Sequence, residues 1–197
     1  MAQRYPGLSA VAAAPAFDGV ADPRSYLIFV DDFVGVESSL FASDGSGTSE
    51  VGAPGVVDLD TVTSPAADEL TSDAVFTVSA ASPLYVAFRM KADAATDEAQ
   101  VEILGCTVDF DVADTISLTD GTTLVDTDVT VAEDVWYTVE LAITTTQSGI
   151  SVDGGEWFVT GGPASPSTPS SLHLDGNTFV DFVVVRQKVA RAGFAHN

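Results

Sequence analysis

The sequence predicts an all-β domain, a two-sheet antiparallel sandwich, and three observations predict it. From Tyr26 onward, short runs of Val, Ile, Leu, Thr and Phe recur, several alternating apolar and polar with period two. Gly, Asp, Ser and Pro clusters separate these runs at short intervals. No segment carries the 3.6-residue apolar period of a helix. Hydrophobic residues are 46% of the 197 residues, enough for a sizeable core without metal or disulfide support.

Residues 1–24 contain Pro6, Pro15 and Pro23 among many alanines, which predicts an extended N-terminal arm. The small apolar stretch Leu8–Ala16 lacks bulky residues and contains Pro15, so it is not expected to be a cleaved leader. The sandwich is expected over 25–188. Its first strand is Tyr26–Val30, leading to Asp31-Asp32-Phe33, and a Gly/Ser/Asp-rich loop covers 42–54. A short strand follows at Val56–Val62, a turn at Pro65–Glu69, then strands at Val75–Val78 and Leu84–Met90. In the latter, Leu84, Val86, Phe88 and Met90 alternate with Tyr85, Ala87 and Arg89. One apolar strand is expected over Val101–Phe110. Thr115–Leu118 and Thr123–Val131 flank the hairpin signal Asp120-Gly121. Val135–Ile143 alternates, with Val135, Tyr137, Val139 and Leu141 set against Trp136, Thr138 and Glu140. Ile150–Val152 and Trp157–Val159 flank Asp153-Gly154-Gly155, another hairpin signal. Residues 161–170 form a polar, Pro-rich loop. Leu172–Leu174 and Phe179–Val185 close the sheets, and the run Val183-Val184-Val185 suits a strand buried on both sides. Residues 189–197 are a short tail.

Charge narrows the function classes. The chain has 29 acidic and 7 basic residues, a net charge of -22. Phosphate backbones and anionic lipid surfaces would be repelled, so neither nucleic acid nor membrane is expected as a partner. No apolar run approaches the roughly 18 residues of a membrane span. The charge is uneven: residues 25–185 carry a net -25, whereas the two ends together carry +3. A negative body with weakly positive ends suggests ends that dock.

Candidate chemistry is sparse. Cys106, the single cysteine, lies in an apolar run and reads as a core thiol. Asp109, Asp111 and Asp114 would place two carboxylates on one strand face, a geometry open to calcium or glycosidase chemistry but also to a solvated face. Asp126, Asp128, Glu133 and Asp134 surround a hairpin, and Asp175, Asn177 and Asp181 surround Gly176. Neither set has EF-hand spacing. His173, the sole interior histidine, is expected on an outward strand face, with no Gly-x-Ser-x-Gly elbow to pair it with. Trp136, Tyr137, Trp157 and Phe158 could form a sugar-stacking platform or pack in the core. No catalytic residue, metal ligand or cofactor is predicted.

Four stretches carry a family resemblance: the opening strand with Asp31-Asp32-Phe33; Leu84-Tyr85-Val86-Ala87-Phe88-Arg89-Met90-Lys91; Val135–Leu141 with the hairpin at Val152-Asp153-Gly154; and Val180-Asp181-Phe182-Val183-Val184-Val185. Over residues 26–188 the chain resembles the concanavalin A-like (laminin G-like) jelly-roll domains of tailed-virus structural proteins. The acid motif Glu-x-Asp-x-x-Glu of the sandwich glucanases is absent. The resemblance implies a non-enzymatic virion protein, a homotrimeric decoration (cement) subunit made in the host cytoplasm and bound to the major capsid protein on the capsid surface. Arg4, Tyr5, Arg24, Arg186, Lys188 and Arg191 are the expected docking residues. The alternative is a lectin-like, carbohydrate-binding module of a viral fibre or cell-surface protein.

Overall fold

The structure is a computed structural model and describes residues 26–31, 41–43, 50–53, 56–58, 70–80, 82–92, 99–163, 168–176 and 178–188. These form strands β1 (Tyr26–Asp31), β2 (Phe41–Ser43), β3 (Glu50–Ala53), β4 (Val56–Asp58), β5 (Leu70–Phe76), β6 (Leu84–Lys91), β7 (Gln100–Ile103) and β8 (Cys106–Asp109). They continue as β9 (Thr115–Thr119), β10 (Leu124–Thr130), β11 (Trp136–Ile143), β12 (Gln147–Val152), β13 (Phe158–Gly161), β14 (Ser170–Asp175) and β15 (Phe179–Lys188). Among the described residues there is no helix.

Two antiparallel sheets result. The front sheet has eight strands in the order β13-β12-β11-β6-β15-β4-β3, with β1 also paired to β15. Strands β1 and β4 share one edge of β15: β4 pairs with Phe179 and Val180, and β1 with Val183 to Lys188. The back sheet has seven strands in the order β10-β9-β8-β7-β14-β5-β2. The all-β, two-sheet expectation therefore holds.

The core lies where the alternating faces meet. Leu84, Val86, Phe88 and Met90 of β6, Tyr137, Val139, Leu141 and Ile143 of β11, and Val180, Val183 and Val185 of β15 are buried from the front sheet. Val101, Ile103, Cys106, Val108, Ile116, Leu118, Leu172 and Leu174 meet them from the back sheet. Each fully buried Leu, Ile or Phe contributes about 1.5–3 kcal/mol relative to exposure, so this stack dominates the stability. Polar ties also cross the sandwich. The Cys106 thiol lies 3.2 Å from Ser148 Oγ, joining β8 to β12, and burial pushes its pKa up. Cys106 is thus a core thiol, as expected.

A second tie is Asp120, 2% exposed in the β9–β10 turn. Its Oδ1 accepts hydrogen bonds from Thr123 N (2.7 Å), Thr122 N (2.8 Å) and Thr122 Oγ1 (2.8 Å). Thr160 Oγ1, on β13 of the front sheet, donates to Oδ2 at 3.2 Å. These donors, the Thr123 amide foremost, lower its pKa to about 2. The Asp-Gly signal thus closes a hairpin and also joins the sheets.

Several elements depart from the sequence expectation. The single strand expected over Val101–Phe110 is a hairpin, β7–β8, with Ile103 opposite Cys106. Leu104 (φ 57°) and Gly105 (φ 74°) are both left-handed, the two-residue turn that suits the twist of flanking strands. The loop expected over 42–54 contains β2 and β3, and the strand expected at Val75–Val78 runs over Leu70–Phe76 instead. The strand expected at Val56–Val62 is described only over Val56–Asp58. On β15 the pairing with β6 shifts between Val180 and Phe182. That irregularity resets the alternation, so Val183 and Val185 enter the core while Phe182 and Val184 turn outward onto Ala87. All three valines at 183–185 are nevertheless buried, as expected. The predicted arm 1–24 and tail 189–197 lie outside the described residues.

Candidate functional site

The outer face of the front sheet carries polar, aromatic and cationic side chains together. Register orders them in rows across β15, β6 and β11. The first row is Phe179, Lys91 and Trp136; the second Phe182, Arg89 and Thr138. The third is Val184, Ala87, Glu140 and Ser151 of β12, and the fourth Arg186, Tyr85, Ala142 and Gly149. Each member is there because its strand neighbours are apolar and face the core.

The first two rows form a cation–aromatic cluster. The Arg89 guanidinium lies 4.9 Å from the centre of the Trp136 ring. Lys91 Nζ lies 4.4 Å from the Phe179 ring centre and 5.9 Å from that of Trp136. Lys91 also pairs with Asp134 Oδ1 at 3.1 Å. Asp134 sits in a tight turn (φ 59°) pinned by its amide to Ala92 O at 2.8 Å. Trp136 and Arg89 stay half-buried, each with part of its surface in water.

The third row holds an anomaly. Glu140 is 2% exposed, and its Oε1 has no hydrogen-bond partner. Burial raises its pKa above the ordinary carboxylate value, while the Arg186 guanidinium pulls it back down. Small Ala87 between β11 and β15 leaves room for these two long side chains to approach one another over the sheet. A buried acceptor without a donor costs about 1–3 kcal/mol, so it calls for an explanation in function.

The outer face of the back sheet holds most of its carboxylates differently, although Asp175 Oδ1 on β14 is, like Glu140 Oε1, buried without a partner. Gln100 Nε2 donates to Asp109 Oδ1 at 2.9 Å, and Ser117 Oγ donates to Asp109 Oδ2 at 3.3 Å. His173 stands between Thr71 and Glu102, on the outward face expected of it. Asp111 does not join Asp109. It lies beyond β8, where its Oδ1 accepts from Ala99 N at 3.0 Å. Among the described residues no three His, Cys, Asp or Glu side chains are placed to share a metal ion.

The four aromatics divide. Tyr137 packs in the core, edge-on to Phe110 with ring centres 5.7 Å apart, and its hydroxyl binds Ala132 N and Thr130 O. Phe158 packs against the same core. Trp136 faces outward, and Trp157 is half-buried after the β12–β13 turn. Of the expected docking residues, Arg186 lies on the outer front face and the backbone of Lys188 pairs with Tyr26. Arg4, Tyr5, Arg24 and Arg191 lie outside the described residues. Arg89, Lys91 and Glu140 were not expected as site residues. The alternation in Leu84–Lys91 already sets both cations opposite the core residues, but only cross-strand register brings them beside Trp136 and Glu140.

No protein-family model matches the chain, and no curated protein sequence does. Solved structures do resemble it. Lectin II from Ulex europaeus is 10% identical, with a TM-score of 0.58 over 83% of this chain and 99% of that one. Basic winged bean lectin is 8% identical, with a TM-score of 0.59 over 82% and 98%. The Crh5 transglycosylase in complex with NAG is 15% identical, with a TM-score of 0.61 over 83% and 84%. Lectins and a transglycosylase share this architecture, and with its two antiparallel sheets the chain has the concanavalin A-like jelly-roll fold.

Proposed function

We propose that the protein is a carbohydrate-binding module that holds its ligand on the outer face of the front sheet. The observation that carries this reading is the half-exposed Trp136 on a face that also holds a buried, unpartnered carboxylate oxygen, Glu140 Oε1, two rows from Trp136 and one row from Arg89. A sugar ring would lie against Trp136, and a second sugar over the third row would donate a hydroxyl to Glu140 once the side chains covering its Oε1 turn aside. The lectins among the structural neighbours support the reading: one is complexed with galactose and another with the methyl glycoside of α-L-fucose. Binding without hydrolysis is the form proposed. A glycosidase needs two carboxylates about 5–10 Å apart, and the outward-facing neighbours of Glu140 on β11 are Thr138 and Ala142. Titration calorimetry against a panel of neutral and acidic oligosaccharides tests it. Heat of binding from at least one, lost in Trp136→Ala, is expected; no binding to any member would end the reading.

A second reading is favoured by one observation. Tyr26 pairs with Lys188, so the chain enters and leaves the described sandwich at the same sheet edge. Arg186 and Lys188 belong to the strand at that edge, and Arg24 and Arg191 stand two and three residues from it in sequence. Docking of a virion decoration subunit on its capsid through these ends would use that convergence. Co-sedimentation with expanded empty capsids, lost on deletion of residues 1–24, is its test; unchanged binding by the shortened chain would reject it.

A further inference from the structure

We infer that the ligand of the outer front face is an acidic glycan, whose sugars carry carboxylate or sulfate groups; this rests on the carbohydrate-binding reading. The chain has only 7 basic residues, and none occurs between Lys91 and Arg186. The three whose side chains are described, Arg89, Lys91 and Arg186, all project from this one face. The strands of the back sheet contain no Lys or Arg at all. In a chain of net charge -22, such confinement gathers three cations on one face of an otherwise negative body.

The arrangement suits a sugar acid. Glu140 stands in the third row, with Arg89 in the row on one side and Arg186 in the row on the other. Successive rows on one face are about 7 Å apart, roughly the span of one sugar ring and its substituent. A carboxylate or sulfate can accept from a guanidinium while, with the side chains over Glu140 turned aside, a hydroxyl of the same or the next sugar donates to its Oε1. The acidic body does not cancel this attraction. At about 0.15 M salt the Debye length is about 8 Å, so a bound anion interacts first with the adjacent cations.

Titration calorimetry on the full chain with three hexasaccharides decides the matter: a hexauronate, a sulfated hexasaccharide and a neutral one. At least one acidic ligand is expected to bind about tenfold or more tightly than the neutral one. Equal or tighter binding of the neutral ligand overturns the acidic preference and leaves the carbohydrate reading standing. No binding of any of the three overturns both. In the double variant R89Q/R186Q, acidic affinity should fall about tenfold more than neutral affinity does. An unchanged acidic affinity in that variant, with its thermal melt intact, also overturns the inference. The three-ligand comparison on the unaltered chain stands whether or not the variant folds.

Discussion

The two outer faces of the sandwich are built from the same alternation and treat two mid-strand carboxylates, Asp109 and Glu140, in opposite ways. On the back sheet, Asp109 is held by Gln100 and Ser117 and keeps contact with solvent. On the front sheet, Glu140 is buried with one oxygen unpaired, near Arg186 and in the row beside Arg89. A carboxylate on a strand is thus not informative by itself. What separates Asp109 from Glu140 is whether the neighbours across the sheet satisfy the group, and register decides that.

The largest expected effect is at the tie between the sheets, since neither face exists without their packing. Asp120→Ala leaves Thr122 N, Thr123 N and Thr160 Oγ1 without their acceptor. A loss of about 3 kcal/mol is expected, read by urea unfolding at neutral pH. The pH dependence has a definite sign. The folded pKa of Asp120, about 2, lies below the ordinary 3.8. Its contribution is therefore present above about pH 4 and lost as pH falls towards 2. A D120A chain as stable as the wild type would remove Asp120 as the link between the two sheets.

Glu140 should behave in the opposite way. Its folded pKa is raised, so the folded state holds the proton more tightly than the unfolded one. Stability from this group is present below the ordinary value of 4.5 and is lost as pH rises through the raised pKa. Glu140→Gln removes that loss while keeping the shape. A gain of about 1 kcal/mol at pH 8, fading towards pH 4, is expected in thermal melts. A destabilised E140Q chain at pH 8 would mean that the pairing with Arg186 outweighs the desolvation, and the front face would then resemble the back.

Much of this was legible in the sequence. Alternation in Leu84–Lys91 and Val135–Ile143 placed the two central front strands and separated their core and outer faces. The Asp120-Gly121 and Asp153-Gly154 turns announced their hairpins through residues that tolerate left-handed backbone. The β7–β8 turn was not legible. Ile103-Leu104-Gly105-Cys106 reads as a continuous apolar run, and Leu104 is a poor advertisement for positive φ. Strands β2 and β3 were hidden for a different reason. Gly, Ser and Asp around them signal a loop, and pairing with β5 and β4 overrides that local preference. The candidate site was half visible: each cation could be assigned a face, but the irregularity at Asp181 sets which row Phe182 joins, and no local pattern reveals it.

That hidden turn supplies a smaller test. Gly105 adopts φ 74°, and an added Cβ would meet nothing within 4 Å. The cost of Gly105→Ala is then backbone strain alone, about 1 kcal/mol. Because β7 and β8 carry the Gln100–Asp109 pair, the strain should loosen the back face and spare the front. Hydrogen exchange should quicken at Glu102 and Thr107 and stay unchanged at Thr138 and Glu140. Equal acceleration on both sheets would show that the hairpin and the front face open as one unit.

The smallest expected effect is the direct counterpart of the change at Glu140. Asp109→Asn keeps the shape and both cross-strand partners, since the amide oxygen can accept from Gln100 Nε2 while the amide nitrogen donates to the Ser117 hydroxyl oxygen. The group is only half-buried, so it carries little desolvation cost to relieve. A change within about 0.5 kcal/mol is expected between pH 5 and 8. The two isosteric changes together isolate burial from charge, because each removes one negative charge from the same acidic chain. If D109N stabilised the protein as much as E140Q, the gain would come from lowering the overall self-repulsion, and the unpaired oxygen of Glu140 would lose its claim to mark a site.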